Sequence, residues 1–317
     1  MNNQPTVSVV MATYNGEKYI CEQIDSILNQ SYPIYELIIQ DDCSTDSTPD
    51  ICRKYEKDHP NVHFYQNKHN LGFNDNFRTA AMRATGDFIA LSDQDDVWYR
   101  DKIDRQISAI GDNDICFCCH LRGKDRKHSV YVTPQYSLEA LLFTGFAGHT
   151  MLLRRIFVQN SNNWINYIHY DWSLAINAQL GNGIVRINEP LNWHRSHGSS
   201  AIAMEQKHFH KEFKKKLTWQ PYVYGWSYYR ELQNKANWSK LYTFIYNSTS
   251  KEKLPLAHKM SHLMLKKGLL PLLHLCWLCM IHRKTIYWNG NSNGIKGLIR
   301  GFAYPLIFTV NNVQYNL

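Results

Sequence analysis

Val7-Ser8-Val9-Val10-Met11-Ala12-Thr13-Tyr14-Asn15-Gly16 sets a nearly unbroken apolar and β-branched run against an abrupt polar end. A run of that length without polar alternation is a strand covered on both faces, the environment of a parallel sheet. Runs of the same kind recur at 35–40, 62–66 and 87–91, separated by amphipathic helical stretches at 17–29, 48–58 and 74–84. Strand and helix alternate, so the chain is predicted to open with an α/β domain whose mostly parallel, Rossmann-like sheet is flanked by helices. The second helix is expected to start with a capping box in which Ser47 faces Asp50.

Sheets of this type bind ligands beyond the carboxyl ends of their strands. Thr13-Tyr14-Asn15-Gly16 follows the first strand, Asp41-Asp42 the second and Ser92-Asp93-Gln94-Asp95-Asp96 the fourth, so three polar loops are expected on one rim. Asp93, Asp95 and Asp96 offer a hard, oxygen-rich site for Mg2+ or Mn2+, which bind through one or two carboxylates and the phosphates of a substrate. A solvated acidic turn, capping a helix that starts near Val97, is the plainer reading of the same residues. At the second strand a carboxylate can accept from the N3–H of a uracil or thymine, with Thr13 and Asn15 placed for base or ribose, although alone this segment also reads as a capping turn. Neither G-x-G-x-x-G after the first strand nor G-x-x-x-x-G-K-[ST] anywhere occurs. Phosphates would then need a metal. Asp95 is the expected direct ligand, with Asp93 and Asp96 beside it.

Strands are predicted at 115–120, 150–154 and 184–187, with a helix at 171–180, completing one catalytic domain over 1–203. Its first half is about 1–111 and its second half about 112–203. A basic, aromatic, mainly helical region is expected over 204–317, with one basic segment at 208–217. Lys and Arg number 35 against 27 Asp and Glu, and the excess falls after Lys207. Nucleic acid is not the expected partner, because these cations are interleaved with apolar runs and no recognised motif accompanies them. The apolar run at 269–281 is shorter than the roughly 20 residues a bilayer span needs. Flanked by Lys266-Lys267 and His282-Arg283-Lys284, it reads either as a segment lying in the interface of an anionic membrane or as a buried helix. Scattered cysteines and an N-terminus without an apolar leader lead to the expectation of a reducing, cytoplasmic setting with structural cysteines.

Val9-Val10-Met11-Ala12-Thr13-Tyr14-Asn15, Asp41-Asp42-Cys43-Ser44-Thr45-Asp46, Asn70-Leu71-Gly72, Ala84-Thr85-Gly86-Asp87 and Asp93-Gln94-Asp95-Asp96, in this order, resemble the family-2 glycosyltransferases over roughly residues 6–200. The resemblance implies a GT-A fold, a divalent metal at the D-x-D site, and inversion at the anomeric carbon. It implies that Thr13, Tyr14, Asn15, Asp41, Asp42, Asn70, Asp93 and Gln94 bind a nucleotide sugar. Thr144-Gly145-Phe146-Ala147-Gly148-His149-Thr150 resembles the family's acceptor-side loop, which assigns Gly145, Gly148 and His149, with Trp172, to the acceptor side. His169-Tyr170-Asp171-Trp172 resembles the segment of the catalytic base, making Asp171 the candidate base; N-cap of the following helix is its plainer role. Asn192-Trp193-His194-Arg195-Ser196-His197-Gly198-Ser199-Ser200 resembles the stretch that contacts diphosphate or metal, which assigns Arg195, His197 and Ser200 to the diphosphate and His197 also to the metal. In this register His194 is expected to be structural.

Within the family, Leu91-Ser92-Asp93-Gln94-Asp95-Asp96-Val97-Trp98, Asp171-Trp172-x-Leu174 and Asn188-Glu189-Pro190-Leu191 are most similar to bacterial rhamnosyltransferases of surface-polysaccharide assembly. That similarity implies a dTDP-activated donor, or otherwise a UDP-sugar, and a lipid-linked glycan acceptor. Two other readings of the residues remain. A metal-dependent nucleotidyltransferase would show a glycine-rich, basic loop after strand one, of which Gly16-Glu17-Lys18 is a poor version. A non-catalytic carbohydrate- or calcium-binding module would hold an intact site without turnover.

Overall fold

The computed structural model describes residues 4–198, 220–287 and 293–312. The basic segment expected at 208–217 lies outside them. By packing, the chain divides into two units: Met1–Thr133 with Ala147–Ser196, and Pro134–Phe146 with His197–Leu317.

The first unit is built on a nine-stranded sheet. Its strands are β1 (Val7–Thr13), β2 (Glu36–Asp41), β3 (Val62–Gln66), β4 (Phe88–Ser92), β5 (Val97–Trp98), β6 (Ile115–Gly123), β7 (Val130–Val132), β8 (Met151–Arg154) and β9 (Ile184–Arg195). The order across the sheet is β3-β2-β1-β4-β8-β6-β9-β5, with β7 added on β6. The first four strands run parallel, as their apolar runs predict, and β1, β2 and β4 are buried along nearly their whole length. Beyond β4 the sheet is mixed: β8 is antiparallel to both β4 and β6, and β6 is parallel to β9. Helices Ile20–Leu28, Thr48–Asp58, Phe73–Arg83 and Lys102–Ile110 connect the strands. Ile20, Ile24 and Ile27 of the first are wholly buried in the same core as Val7, Val9 and Met11. Each is worth roughly 1.5–3 kcal/mol of burial. Pairing of β1 with β2 and β4 brings Thr13, Asp41 and the residues after Ser92 to one edge.

Two local expectations are corrected. Ser47 makes no capping hydrogen bond from its side chain. Instead its N–H donates to the Glu17 carboxylate, 2.9 Å away, and Thr48 N donates to Asp46 Oδ1 at 3.0 Å. A carboxylate from a neighbouring loop has displaced the local capping box. No helix starts near Val97 either: Val97–Trp98 pairs with Asn192–Trp193 of β9, and the helix begins at Lys102. β9 itself runs beyond 187 to Arg195, keeping pace with β6 through irregularities around Cys119.

The second unit is helical where it is described, with helices Gln220–Gln233, Ala236–Asn247, Pro255–Leu265, Leu269–Ile281, Gly294–Phe302 and Tyr304–Asn312. The apolar run at 269–281 is thus one helix. Trp238, wholly buried, donates from Nε1 to the Met264 carbonyl, and Tyr242 donates to the Leu142 carbonyl. Among the described residues no helix is long and apolar enough to cross a membrane.

Candidate active site

The loops after β1, β2 and β4 are tied into one rim by side chains. Gln94 reaches across to Tyr14: the Tyr14 N–H donates to Gln94 Oε1 and Gln94 Nε2 donates to the Tyr14 carbonyl, both at 2.9 Å. Gln94, the second residue of the aspartate cluster, is therefore a clamp between the loops after β1 and β4. Gly16 is required beside it, since a Cβ there would lie 2.1 Å from Gln94 Oε1. Gly16→Ala is expected to break the clamp and weaken donor binding, and adding Gln94→Ala, which frees the space, to recover part of the lost melting temperature. Strictly additive effects of the two substitutions on the melting temperature would refute the clamp.

Asp41 is wholly buried, and its carboxylate accepts from Thr13 Oγ1, Ser44 N, Ser44 Oγ and Gln66 Nε2. Asp42, also buried, accepts from Asn67 Nδ2, Leu71 N and Gly72 N. Both expected nucleotide ligands thus organise the loops of the rim. Asn70 joins them, donating from Nδ2 to the Asp42 carbonyl. Asn15 adopts a left-handed φ of 48°, a conformation asparagine tolerates, and its Oδ1 accepts from Thr45 N. Tyr14 is left half-exposed on the rim.

The aspartate cluster meets two histidines. Asp96 is wholly buried, and its two oxygens lie 2.9 Å from Nδ1 of His149 and of His194. Asn192 Nδ2 sits 3.2 Å from Asp96 Oδ2 and 2.7 Å from His149 Nδ1. The two imidazoles stack with centroids 4.8 Å apart. Burial alone would raise the Asp96 carboxyl, but His149 and His194 hold it well below the usual carboxylate range. Burial alone would lower His194, but Asp96, aided by Asp93 and Asp95, raises it to about 9. Beneath them Lys102 is wholly buried, its Nζ donating to the His149 carbonyl at 2.6 Å and lying over the Trp98 ring. Burial brings that ammonium down to about 8. His120 completes the group with its ring edge-on to His149, and burial keeps it neutral, with a pKa of about 2.

Asp93 differs from Asp96. Its carboxylate has no hydrogen-bond partner among the described residues, and burial, reinforced by repulsion from Asp96 and Asp95, pushes it up to about 7 against the pull of the histidines. Oxygen and nitrogen atoms of Asp93, Asp96, His149 and His194 lie within 4.8 Å of one another, close enough to share a metal ion. An unpartnered carboxylate repelled by two others fits a divalent cation, which would remove the repulsion. The Asp93 carboxylate is free of hydrogen bonds among the described residues, whereas Asp96 is held by its histidines. Asp95 is buried, with its carbonyl accepting from Arg195 Nε at 3.1 Å.

The turn Gly148–Thr150 links this cluster to Asp171. His149 faces Asp96, while the Gly148 N–H donates to the Asp171 carboxylate, which also accepts from Trp172 N at 2.7 Å. Gly148 is packed so closely that a Cβ would lie 2.2 Å from Tyr170 Oη. Asp171 sits in the first turn of helix Tyr170–Leu180; the N-cap position is His169, which makes no side-chain capping hydrogen bond. Burial raises the Asp171 carboxyl despite those hydrogen bonds and the nearby His169 and His149. Trp172 is buried behind it. Alongside lies a cavity of about 350 Å3, lined by Phe73, Asn74, Asp75, Arg78, Trp164 and Tyr170 among others.

Arg195 reaches the rim through the Asp95 carbonyl, but its guanidinium is stacked between Tyr19 and Trp193 and paired with Glu22. Gly145 and His197 belong to the second unit, and Ser200 lies outside the described residues. His194 and Lys102 were not legible as parts of the site: a histidine one residue before an arginine, and a lysine opening a helix, carry no spacing signal.

Residues 8–168 match the model of glycosyl transferase family 2, and the chain belongs to that family. It is 39% identical over 116 residues to TuaG of Bacillus subtilis, whose name describes it provisionally as a teichuronic acid biosynthesis glycosyltransferase; the match covers 37% of this chain and 46% of TuaG. It is 40% identical over 106 residues to the dTDP-rhamnosyl transferase RfbG of Shigella flexneri, covering 32% of this chain and 36% of that one. In both cases the matched stretch spans less than half of the relative's length. The crystal structure of S. aureus TarS residues 1–349 with UDP-GlcNAc is similar at a TM-score of 0.59 and 17% identity, covering 98% of this chain and 89% of that one. That likeness shows the GT-A fold: a mixed sheet with flanking helices and a helical region after it.

Proposed function

We propose that this protein is an inverting, metal-dependent glycosyltransferase that moves a sugar from a nucleotide-diphosphate donor to a hydroxyl of a glycan acceptor in surface-polysaccharide synthesis. The observation that carries the reading is the Gly148–His149 turn, which holds Asp171 with its backbone and Asp96 with its imidazole. It joins a half-buried carboxylate of raised basicity to a cluster suited to a cation. Asp171 takes the proton of the acceptor hydroxyl as that oxygen bonds to C1 of the donor sugar and the C1–O bond to the diphosphate breaks; attack opposite the leaving group inverts C1. A divalent metal, held by Asp93 with Asp95 and backed by Asp96 and its histidines, would offset the charge on the departing diphosphate. Arg195 adds positive charge at the same rim, shared with Glu22. Thr13, Tyr14, Asn15 and Asn70 shape the nucleoside end, and the cavity beside Tyr170 is the acceptor's entrance.

The sugar is L-rhamnose from dTDP-rhamnose in this reading, supported by the local similarity to RfbG, and the acceptor is lipid-linked and reached from the cytoplasmic face. The test is a thermal-shift panel of dTDP-, UDP- and GDP-sugars with Mn2+ or Mg2+, followed by transfer assays. Stabilisation by dTDP-rhamnose that disappears with EDTA is the expected result. Preference for a UDP- or GDP-sugar would discard rhamnose alone. Stabilisation by no nucleotide sugar would discard the whole assignment.

A further inference from the structure

We infer that helices Leu269–Ile281 and Gly294–Phe302 of the second unit form a peripheral docking surface for an anionic lipid leaflet. On the first helix Leu269, Leu270, Leu273, Trp277 and Ile281 are exposed, Leu270 at 80%, while Leu272, Leu275, Cys276 and Cys279 are buried. On the second, Ile295, Leu298, Ile299 and Phe302 are exposed, Ile295 at 76%, while Gly297 and Gly301 are buried. Spacings of three and four residues place each exposed set on one helical face. The two helices are neighbours: a Cβ on Gly301 would lie 3.2 Å from Met280 Cα and 3.0 Å from Arg283 Cβ. The glycines thus turn the bulky residues of the second helix away from the first. Apolar side chains displayed in this number mark an interaction surface.

Charge decides what covers it. From Lys253 to Leu317 the sequence holds eight Lys and Arg and no Asp or Glu, an excess equal to the +8 of the whole chain. Lys266 and Lys267 precede the first helix, Arg283 and Lys284 follow it, and Lys296 and Arg300 lie on the second. Apolar residues with flanking cations and no carboxylates match the interface of an anionic bilayer, with Trp277 at headgroup depth. A helix of 13 residues is about 20 Å long, too short to span, so it lies on the surface. The inference rests on the glycosyltransferase reading only for its purpose, which is to bring the enzyme to a lipid-linked acceptor.

The test is co-sedimentation of the full chain with vesicles of phosphatidylcholine alone or mixed equally with phosphatidylglycerol, at low and high salt. Binding is expected only to the mixed vesicles and is expected to weaken with salt. Leu270→Ser with Ile295→Ser, and separately Lys296→Glu with Arg300→Glu, are each expected to weaken it roughly tenfold or more, with unchanged circular dichroism and unchanged donor hydrolysis. In the unsubstituted chain, brominated phosphatidylglycerol is expected to quench tryptophan fluorescence. Absent binding, equal binding to neutral vesicles, or a dimer in ultracentrifugation that the Leu270→Ser and Ile295→Ser substitutions dissociate would overturn the inference. Vesicle binding without turnover of any nucleotide sugar would leave the surface standing and remove the enzyme assignment.

Discussion

Asp171→Asn is expected to lower the transfer rate by roughly 10²–10⁴-fold, the range supplied by a positioned general base, with donor affinity little changed. Asparagine fills nearly the same volume and keeps an oxygen to accept from Trp172 N, so the start of the helix should hold its shape. What it loses is the ability to take a proton. The raised pKa of Asp171 also places the acidic limb of the rate profile above the ordinary carboxylate range, because activity requires the ionised form and is lost as pH falls through that value. Single-turnover rates and donor titrations on both proteins measure the two effects separately. Full transfer by the variant would remove Asp171 from the role of base, and loss of donor binding would make it a ligand instead.

Asp93→Asn is expected to cost roughly 10²–10³-fold in transfer, the scale of losing one preorganised electrostatic stabilisation of the leaving group, here that of the metal it would hold, and to weaken the response to Mn2+. Its effect on stability should be opposite in sign. A carboxyl pushed up to about 7 by burial and by Asp96 and Asp95 destabilises the metal-free fold increasingly as pH rises from the unfolded value toward 7. Asparagine removes that cost, so at pH 8 in EDTA the variant should melt at the same temperature or higher, and the gain should vanish near pH 4. Asp96→Asn offers the contrast, since it strips the shared partner from two histidines and should lower the melting temperature. If Asp93→Asn melted early and Asp96→Asn did not, the assignments of support and ligand would have to be exchanged.

The first half of the sheet was legible because its information is local. Strands β1 to β4 announce themselves as short, doubly covered apolar runs, and each ends in the loop that the parallel-sheet rule makes important. The aspartate cluster was legible by its position after β4. What was missed depends on partners far along the chain. Val97–Trp98 reads locally as the start of a helix but is extended because Asn192 and Trp193 hydrogen-bond to it. Ser47 and Asp50 spell a capping box, yet Glu17 takes the Ser47 N–H.

By itself the sequence determined the class of fold, the rim on which the candidate site lies, and the candidates Asp93, Asp95 and Asp171, since strand period and loop position depend on neighbours in the chain. Only the tertiary structure decided the surroundings of each residue on that rim. It buried Asp41 and Asp42 in loop-holding networks, made Gln94 a clamp on Tyr14, and locked Asp96 between His149 and His194, leaving Asp93 with no hydrogen-bond partner for its carboxylate among the described residues. The physical reason is that burial and hydrogen-bond partners distinguish one carboxylate from another, and both are set by which strands come together.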